Sequence, residues 1–388
     1  MSLTARGLEC MLEFGLHGRR PGLPPPFRPE RVRRILVVRK DNIGDVLCTT
    51  PALRALRRAL PEARLAILVA EHCRAAVQRN PDLDEVLTYT KAKHRPGFFG
   101  APALWELTRV IRDLRGRRFD LAIAMGRPCS RSGAWLAYAT GATWRLGYAT
   151  PALHPFPFFL NVRGDPGAML SHEVDACLDL LEAVGVPAAG RELTLVPDPQ
   201  TVTAVRGRLV QGGAVEAAGL ALIHISNRRE TSRWPLASFA ETADRLRDQL
   251  GLSIVLSWAP GGQDNPLFPG DDGKAEEVAK QMRVKPLLLR TSELGELIAA
   301  LSLCDFVLST DGGVMHIAAA LDVPQVVLFG KTGLSHWAPI SEKSIALRKT
   351  GRVDQISVDE VLAAATNSVI RWGRNGAAVA AGSREPRA

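Results

Sequence analysis

A chain of 388 residues that is 46% hydrophobic and 23% charged has the composition of a packed protein with room for two cores. That excludes a disordered polymer, a collagen-like repeat and a small disulfide scaffold, and no apolar run approaches the roughly 18–20 residues of a transmembrane helix. The formal charge of +9 suits an anionic partner, whether nucleic acid, a phosphorylated ligand or an acidic membrane surface, and equally suits arginines that only solvate helix faces.

Residues 1–30 carry Pro21-Gly22-Leu23-Pro24-Pro25-Pro26 and read as a flexible N-terminal arm. Arg6, Arg19 and Arg20 are not followed by an apolar segment and a small-residue cleavage site, so no secretory signal is expected and the cytoplasm is the expected compartment. The branched apolar run Arg34–Arg39 predicts a buried strand. Asp45–Leu60 predicts one helix, with Val46, Leu53, Leu56 and Leu60 on one face and Arg54, Arg57 and Arg58 opposite. Strands are predicted at Leu65–Ala70 and Phe119–Met125, with helices over Ala103–Leu114 and Met169–Val184. After the Pro197-Asp198-Pro199 break a second series begins. Its predicted strands are Leu220–Ser226, Ser253–Trp258, Leu287–Arg290, Asp305–Ser309 and Gln325–Phe329. The predicted helices between them are Pro235–Leu250, Ala275–Met282, Glu293–Leu303 and Val314–Leu321.

Strand–helix alternation of this kind implies parallel sheets covered on both faces. The expected fold class is therefore α/β, with doubly wound, Rossmann-like domains at 31–190 and 200–355 facing across a cleft. Residues 356–388 are expected to form a final helix, Val358–Trp372, and a disordered tail. Ligands in such sheets bind beyond the carboxyl ends of the strands. The six cysteines (Cys10, Cys48, Cys73, Cys129, Cys177 and Cys304) form no C-x-x-C pair and read as buried thiols, not as a disulfide framework or zinc site.

Three stretches carry candidate chemistry. Arg39-Lys40-Asp41-Asn42-Ile43-Gly44-Asp45 is a strand-to-helix turn in which Gly44 permits close approach of the backbone, and Asp45 near the helix start is either a functional carboxylate or only a cap. It lacks both the G-x-G-x-x-G and the G-x-x-x-x-G-K-[ST] pattern, which weakens dehydrogenase and NTPase readings. Ser309-Thr310-Asp311-Gly312-Gly313-Val314-Met315-His316 places two glycines at a helix start, a seat for a diphosphate. His316 there is either a phosphate ligand or a packing histidine, and Phe329-Gly330-Lys331-Thr332-Gly333 adds a second glycine loop with a cation. His224-Ile225-Ser226-Asn227, followed by Arg228, Arg229, Arg233 and Trp234-Pro235, sets arginines beside hydroxyl and amide groups, as phosphate recognition does. The competing reading of that stretch is a solvated arginine turn with Trp234 as a core anchor.

Arg39–Leu60 (RKDNIGDVLCTTPALRALRRAL) and Thr310–Gly330 (TDGGVMHIAAALDVPQVVLFG) resemble the two signature blocks of glycosyltransferase family 9, the lipopolysaccharide heptosyltransferases. His172–Pro187 and the Arg233-Trp234-Pro235 turn are also similar to the family pattern, and the resemblance spans about residues 34–350. It implies the GT-B architecture, with an acceptor-binding N-terminal domain and a nucleotide-sugar-binding C-terminal domain. It further implies metal-independent transfer with inversion, usually from ADP-heptose to the lipopolysaccharide inner core, with no cofactor.

By the same resemblance Asp45 is the catalytic base, with Asn42 and Gly44 on the acceptor side. Ser226, Asn227, Arg233, Asp311, Gly312, Gly313, His316 and Lys331 lie on the donor side, and Asp264 is the nearest candidate for a ribose-binding acid. Many members carry a phosphate-binding lysine where this chain has Ser232, and Arg233, Arg229 or Lys331 are the candidates to replace it. Two alternatives accompany this reading: a family member using another nucleotide sugar, and a catalytically silent nucleotide-sugar-binding module. Nucleic-acid binding is disfavoured because aromatic residues are only 6% and do not interleave with a basic stripe. Arg54, Arg57, Arg58, Arg109, Arg112, Arg115, Arg117 and Arg118 are candidates for peripheral contact with the inner-membrane surface.

Overall fold

The computed structural model describes residues 25–89, 101–126, 130–148, 157–165, 171–214, 219–262, 270–349 and 351–373. It divides into two compact units, Met1–Arg191 and Glu192–Ala388. In the first, β1 (Arg34–Arg39), β2 (Arg64–Ala70), β3 (Glu85–Tyr89), β4 (Leu121–Ala124), β5 (Trp144–Gly147) and β6 (Val162–Arg163) form one sheet in the order β3-β2-β1-β4-β5-β6. Every described pairing is parallel. After the exposed Arg34, all of β1 is buried, because helices on both faces of a parallel sheet leave no wet side. Each such fully buried Val or Leu contributes about 1.5–3 kcal/mol.

The helices of this unit are α1 (Ile43–Cys48), α2 (Thr50–Ala59), α3 (Ala101–Gly116), α4 (Arg131–Ala139) and α5 (Glu173–Glu182). α5 packs on α1 and α2, and α4 packs on β1 and β4.

The second unit opens with α6 (Pro199–Gln211). Its strands are β7 (Leu220–His224), β8 (Ser253–Trp258), β9 (Leu287–Arg290), β10 (Phe306–Thr310), β11 (Gln325–Phe329) and β12 (Ser344–Arg348), in the order β12-β11-β10-β7-β8-β9. These pairings too are parallel. α7 (Leu236–Leu250), α8 (Asp272–Gln281), α9 (Leu294–Leu303), α10 (Gly313–Ala320), α11 (Leu334–Trp337) and α12 (Val358–Trp372) complete it. Trp234, Phe239, Leu246, Leu308, Leu328 and Val361 share one buried core, and Trp234 donates its indole N–H to Ile356 O at 2.9 Å. Trp234 is thus a core anchor.

Both strand orders reverse at one place. In the first sheet the chain runs outward from β1 to β3 and returns to β4 beside β1; in the second it runs from β7 to β9 and returns to β10 beside β7. The crevice at the carboxyl ends of such neighbours is where doubly wound sheets bind ligands.

Two predicted helices differ most. The single helix over Asp45–Leu60 is two, broken at Thr49, because Pro51 has no N–H to continue the ladder to Leu47 O, and the Thr50 hydroxyl takes that carbonyl at 2.7 Å. The helix predicted from Met169 begins at Glu173, capped by the His172 ring accepting the Val174 N–H at 3.1 Å. Residues 1–24 of the N-terminal arm, Cys10, Cys129, Asp264 and the tail beyond residue 373 lie outside the described residues. The other four cysteines are buried. Among the described residues no helix is long and apolar enough to cross a membrane.

Candidate functional site

At the carboxyl end of β1, the first unit buries a charged cluster. Arg39 ends the strand with its side chain 1% exposed, and its Nη2 donates to Asp45 Oδ1 at 3.1 Å and to Glu173 Oε1 at 2.6 Å. Its Nε stands 3.5 Å from Asp41 Oδ2. Burial works against the charged guanidinium. The carboxylates of Glu173, Asp45 and Asp41 outweigh that and hold Arg39 protonated, above the ordinary arginine range. Asp45 sits in the first turn of α1, where its Oδ2 accepts the Asn42 N–H at 3.0 Å. It is therefore a cap as well as a candidate functional group, and its side chain is 16% exposed where Glu173 is 2%.

Gly126 closes the cluster from the end of β4. Its φ of +128° favours glycine, and a Cβ there would lie 3.1 Å from Arg39 Nη1. Gly44 is buried within α1 and Asn42 is exposed at its start. Burial pushes the Cys177 thiol up to about 12 and Cys48 well above its ordinary value, so both stay neutral in this corner.

The second unit builds its corner from hydroxyls and amides at the ends of β7, β10 and β11. Asn227 Nδ2 donates to Thr310 Oγ1 at 2.9 Å and to Asp311 O at 2.7 Å, stapling the β7 loop to the β10 loop. Arg229 Nη1 donates to Asp311 Oδ2 at 3.2 Å and to Thr332 Oγ1 at 2.7 Å, which ties in the β11 loop. The Arg229 side chain remains 65% exposed, and that of Asp311 is 7% exposed.

Gly312 precedes α10 with extended backbone (φ 179°) that any residue adopts, and a Cβ there would meet nothing closer than Thr310 O at 3.7 Å. Neither backbone nor packing requires this glycine. The N-cap glycine gives the first N–H groups of α10 no side-chain acceptor, as suits an anion seat. Gly330 is different: a Cβ would lie 2.7 Å from Thr231 O and 3.2 Å from Ser232 Oγ.

The other predicted residues are distributed around this corner. Ser226 Oγ accepts the Ala259 N–H at 2.9 Å and so joins the β7 and β8 loops. Arg233 is exposed, with its Nε donating to Asn227 O at 3.0 Å. Gly313 opens α10, Lys331 is exposed beside Gly351, and His316 is buried with its ring 6.2 Å from that of Trp337. Ser232 is 1% exposed beneath Gly330, and its hydroxyl has no hydrogen-bond partner among the described residues. His224, at the end of β7, is lowered by burial to about 4 and stays neutral. After β8, the acid held beside Trp258 is Asp272, whose Oδ1 accepts the indole N–H at 2.7 Å.

Sequence reasoning missed the roles of Arg39, Glu173, Thr310 and Thr332. A charged residue closing an apolar strand was the available signal for Arg39. Nothing local points to Glu173, because it lies 134 residues from its partner. Among the described residues no three His, Cys, Asp or Glu side chains gather as a metal site would need.

Residues 107–361 match glycosyltransferase family 9 (heptosyltransferase). The chain is similar to lipopolysaccharide heptosyltransferase 1 of Salmonella typhimurium, at 25% identity over 300 residues that cover 77% of this chain and 89% of the relative. Lipopolysaccharide heptosyltransferase 2 of the same organism is 24% identical over 321 residues, covering 81% and 88%. Among solved structures, a family 9 glycosyl transferase from Veillonella parvula superposes with a TM-score of 0.76 at 23% identity, covering 90% of this chain and 100% of that one. An E. coli heptosyltransferase solved with ADP gives 0.69 at 22% identity, covering 86% and 99%. The shared fold is the pair of doubly wound domains called GT-B.

Proposed function

The chain belongs to glycosyltransferase family 9 and is a glycosyltransferase of the heptosyltransferase type, and from that premise we propose that it transfers heptose from ADP-heptose onto a lipopolysaccharide core or related glycolipid, with inversion and without a metal ion. In this reading residues 31–190 hold the acceptor and residues 200–355 hold the donor. What carries it is the unlike character of the two switch points. One presents a carboxylate backed by a buried arginine, and the other an open glycine turn with an arginine and hydroxyls around it.

The chemistry follows from those groups. An acceptor hydroxyl oxygen attacks C1 of the donor sugar, and Asp45 takes its proton. The bond from C1 to the diphosphate oxygen breaks with its electron pair, and the nucleoside diphosphate departs with the developed charge. The N–H groups at the start of α10 and the Arg229 guanidinium stabilise that charge from fixed positions. A single displacement at one carbon inverts it. Arg229 supplies the cation that a buried Ser232 does not; it is exposed, and its hydrogen bonds to Asp311 and Thr332 both use Nη1. The enzyme works in the cytoplasm at the inner-membrane surface, a placement supported by exposed Arg58, Arg112 and Arg118 on the first unit.

Calorimetric titration of the whole chain with ADP, UDP, GDP and dTDP tests the donor side, followed by transfer from ADP-heptose to a delipidated core acceptor. ADP is expected to bind tightest, and Arg229→Ala to weaken it about tenfold, as loss of a charge-assisted contact does. Preference for another base moves the donor to a different nucleotide sugar, and nucleotide binding without any transfer leaves a silent binding module.

A further inference from the structure

Asp45 is not held by its own loop alone. Arg39 Nη2 is a shared donor, 3.1 Å from Asp45 and 2.6 Å from Glu173, and Glu173 enters from the first turn of α5. Exposure rises along the row, from 2% at Glu173 and 1% at Arg39 to 16% at Asp45, so a buried carboxylate backs a surface-reaching one through one guanidinium.

We propose that Glu173 is a positioning residue for the transfer step, acting through Arg39: it turns the guanidinium toward Asp45 and offsets its charge, so that the carboxylate stays able to take a proton. The inference rests on the reading of Asp45 as the base. A lone guanidinium in hydrogen-bond contact would favour the ionised carboxylate and make it a poorer proton acceptor. A second carboxylate, closer to that guanidinium and out of water, takes up much of the positive charge.

Asp41 is poorly placed for that role, being 36% exposed and 3.5 Å away, where water screens it. Gly126 lies on the Nη1 side of the guanidinium, where a Cβ would stand 3.1 Å from that nitrogen. Cys48 in α1 and Cys177 in α5 also lie at this corner and are kept neutral by burial. On the Asp41 side stand Cys73, Lys40, which donates to Ser132, and Tyr89, whose hydroxyl donates to Lys40 O and is held neutral by burial. A buried ion pair adds little net stability over apolar packing, so stability alone gives no reason for this one beside the glycine turn.

Glu173→Gln keeps the shape and an acceptor oxygen for Arg39 and removes only the charge. The side-chain carboxyl-carbon NMR resonance of Asp45, identified by its loss in Asp45→Asn, is expected to titrate about half a pH unit or more lower in Glu173→Gln than in the unmodified chain. With ADP-heptose and a delipidated core acceptor, the acidic limb of kcat moves the same way. The plateau falls about threefold or more, while the donor KM stays within about twofold. Glu173→Asp, which restores the charge, is expected to recover most of both effects, and it carries the comparison if Glu173→Gln does not fold. An unmoved Asp45 resonance in the folded variant overturns the proposal, as does a moved resonance with unchanged kcat and pH limb. Normal turnover in Asp45→Asn instead removes the base reading, and the positioning role with it, whatever the resonance does.

Discussion

Both units place a strand-to-helix turn at the point where their strand order reverses, yet the two turns are furnished differently. The β1 turn of the first unit buries Arg39 between carboxylates, and its glycine after the neighbouring strand, Gly126, leaves no room for a side chain beside the guanidinium. The β10 turn of the second holds its loops together with Asn227 on Thr310 and with the half-exposed pair Arg229–Asp311, which also reaches Thr332, and its Gly312 faces open space. Each corner is equipped for a different task. Buried paired charge fixes one carboxylate in place. An amide staple and a largely exposed arginine around a glycine-led helix start leave room for an anion that brings its own charge.

The hardest blow to this contrast is Asp45→Asn. The amide keeps an oxygen for the Asn42 N–H or for Arg39, and Arg39 retains Glu173 and Asp41, so loss of stability is expected to stay at about 1–2 kcal/mol. Turnover is expected to fall by roughly 10²–10⁴, the contribution usual for a general base, with ADP affinity unchanged in calorimetry. A variant that still turns over at a near-normal rate breaks the assignment of proton transfer to the first unit.

How much of this was legible beforehand depended on distance along the chain. β1 and β11 are continuous runs of branched apolar residues, and their predicted limits agree with the structure. β3 and β12 went unread because they are half-buried edge strands whose residues alternate weakly, and β6 is two residues long. The Asp45 and Gly312 turns were visible because strand, glycine and helix start lie within a few residues of one another. Glu173 was not, since only the packing of α5 on α1 brings it to Arg39. The burial of Ser232 was hidden for the same reason: the Gly330 turn that covers it is almost a hundred positions away.

A milder perturbation sharpens the glycine half of the comparison. Gly312→Val adds a side chain where a Cβ meets only Thr310 O at 3.7 Å, so the fold loses little beyond the N-cap preference, about 1 kcal/mol. ADP affinity is nevertheless expected to fall about tenfold, because the branched side chain stands in front of the α10 N–H groups. Gly330→Val reverses the pattern: its Cβ would lie 2.7 Å from Thr231 O, so its cost is expected in melting temperature first. Unchanged ADP affinity in a folded Gly312→Val would show that the diphosphate sits elsewhere.

The smallest expected effect concerns the basic surface of the first unit, where the structure separates arginines that the sequence groups together. Arg57 is a clamp: it donates to Pro61 O at 3.0 Å, Ala63 O at 2.8 Å and Asp82 O at 3.1 Å, and pairs with Asp84. Arg117 pairs with Asp113 and Glu85, which neutralise it. Arg58, Arg112 and Arg118 are exposed. A cation near an anionic bilayer contributes on the order of 1 kcal/mol, so each exposed arginine replaced by Gln is expected to weaken sedimentation with phosphatidylglycerol vesicles about fivefold at low salt. Added salt should erase the difference, because the charges lie in solvent. Arg57→Gln is expected to lower the melting temperature instead, through the carbonyls it leaves without a donor. Vesicle binding that ignores lipid charge, or that Arg57→Gln weakens as much as Arg112→Gln does, would separate membrane contact from this surface and leave the chemistry at Asp45 untouched.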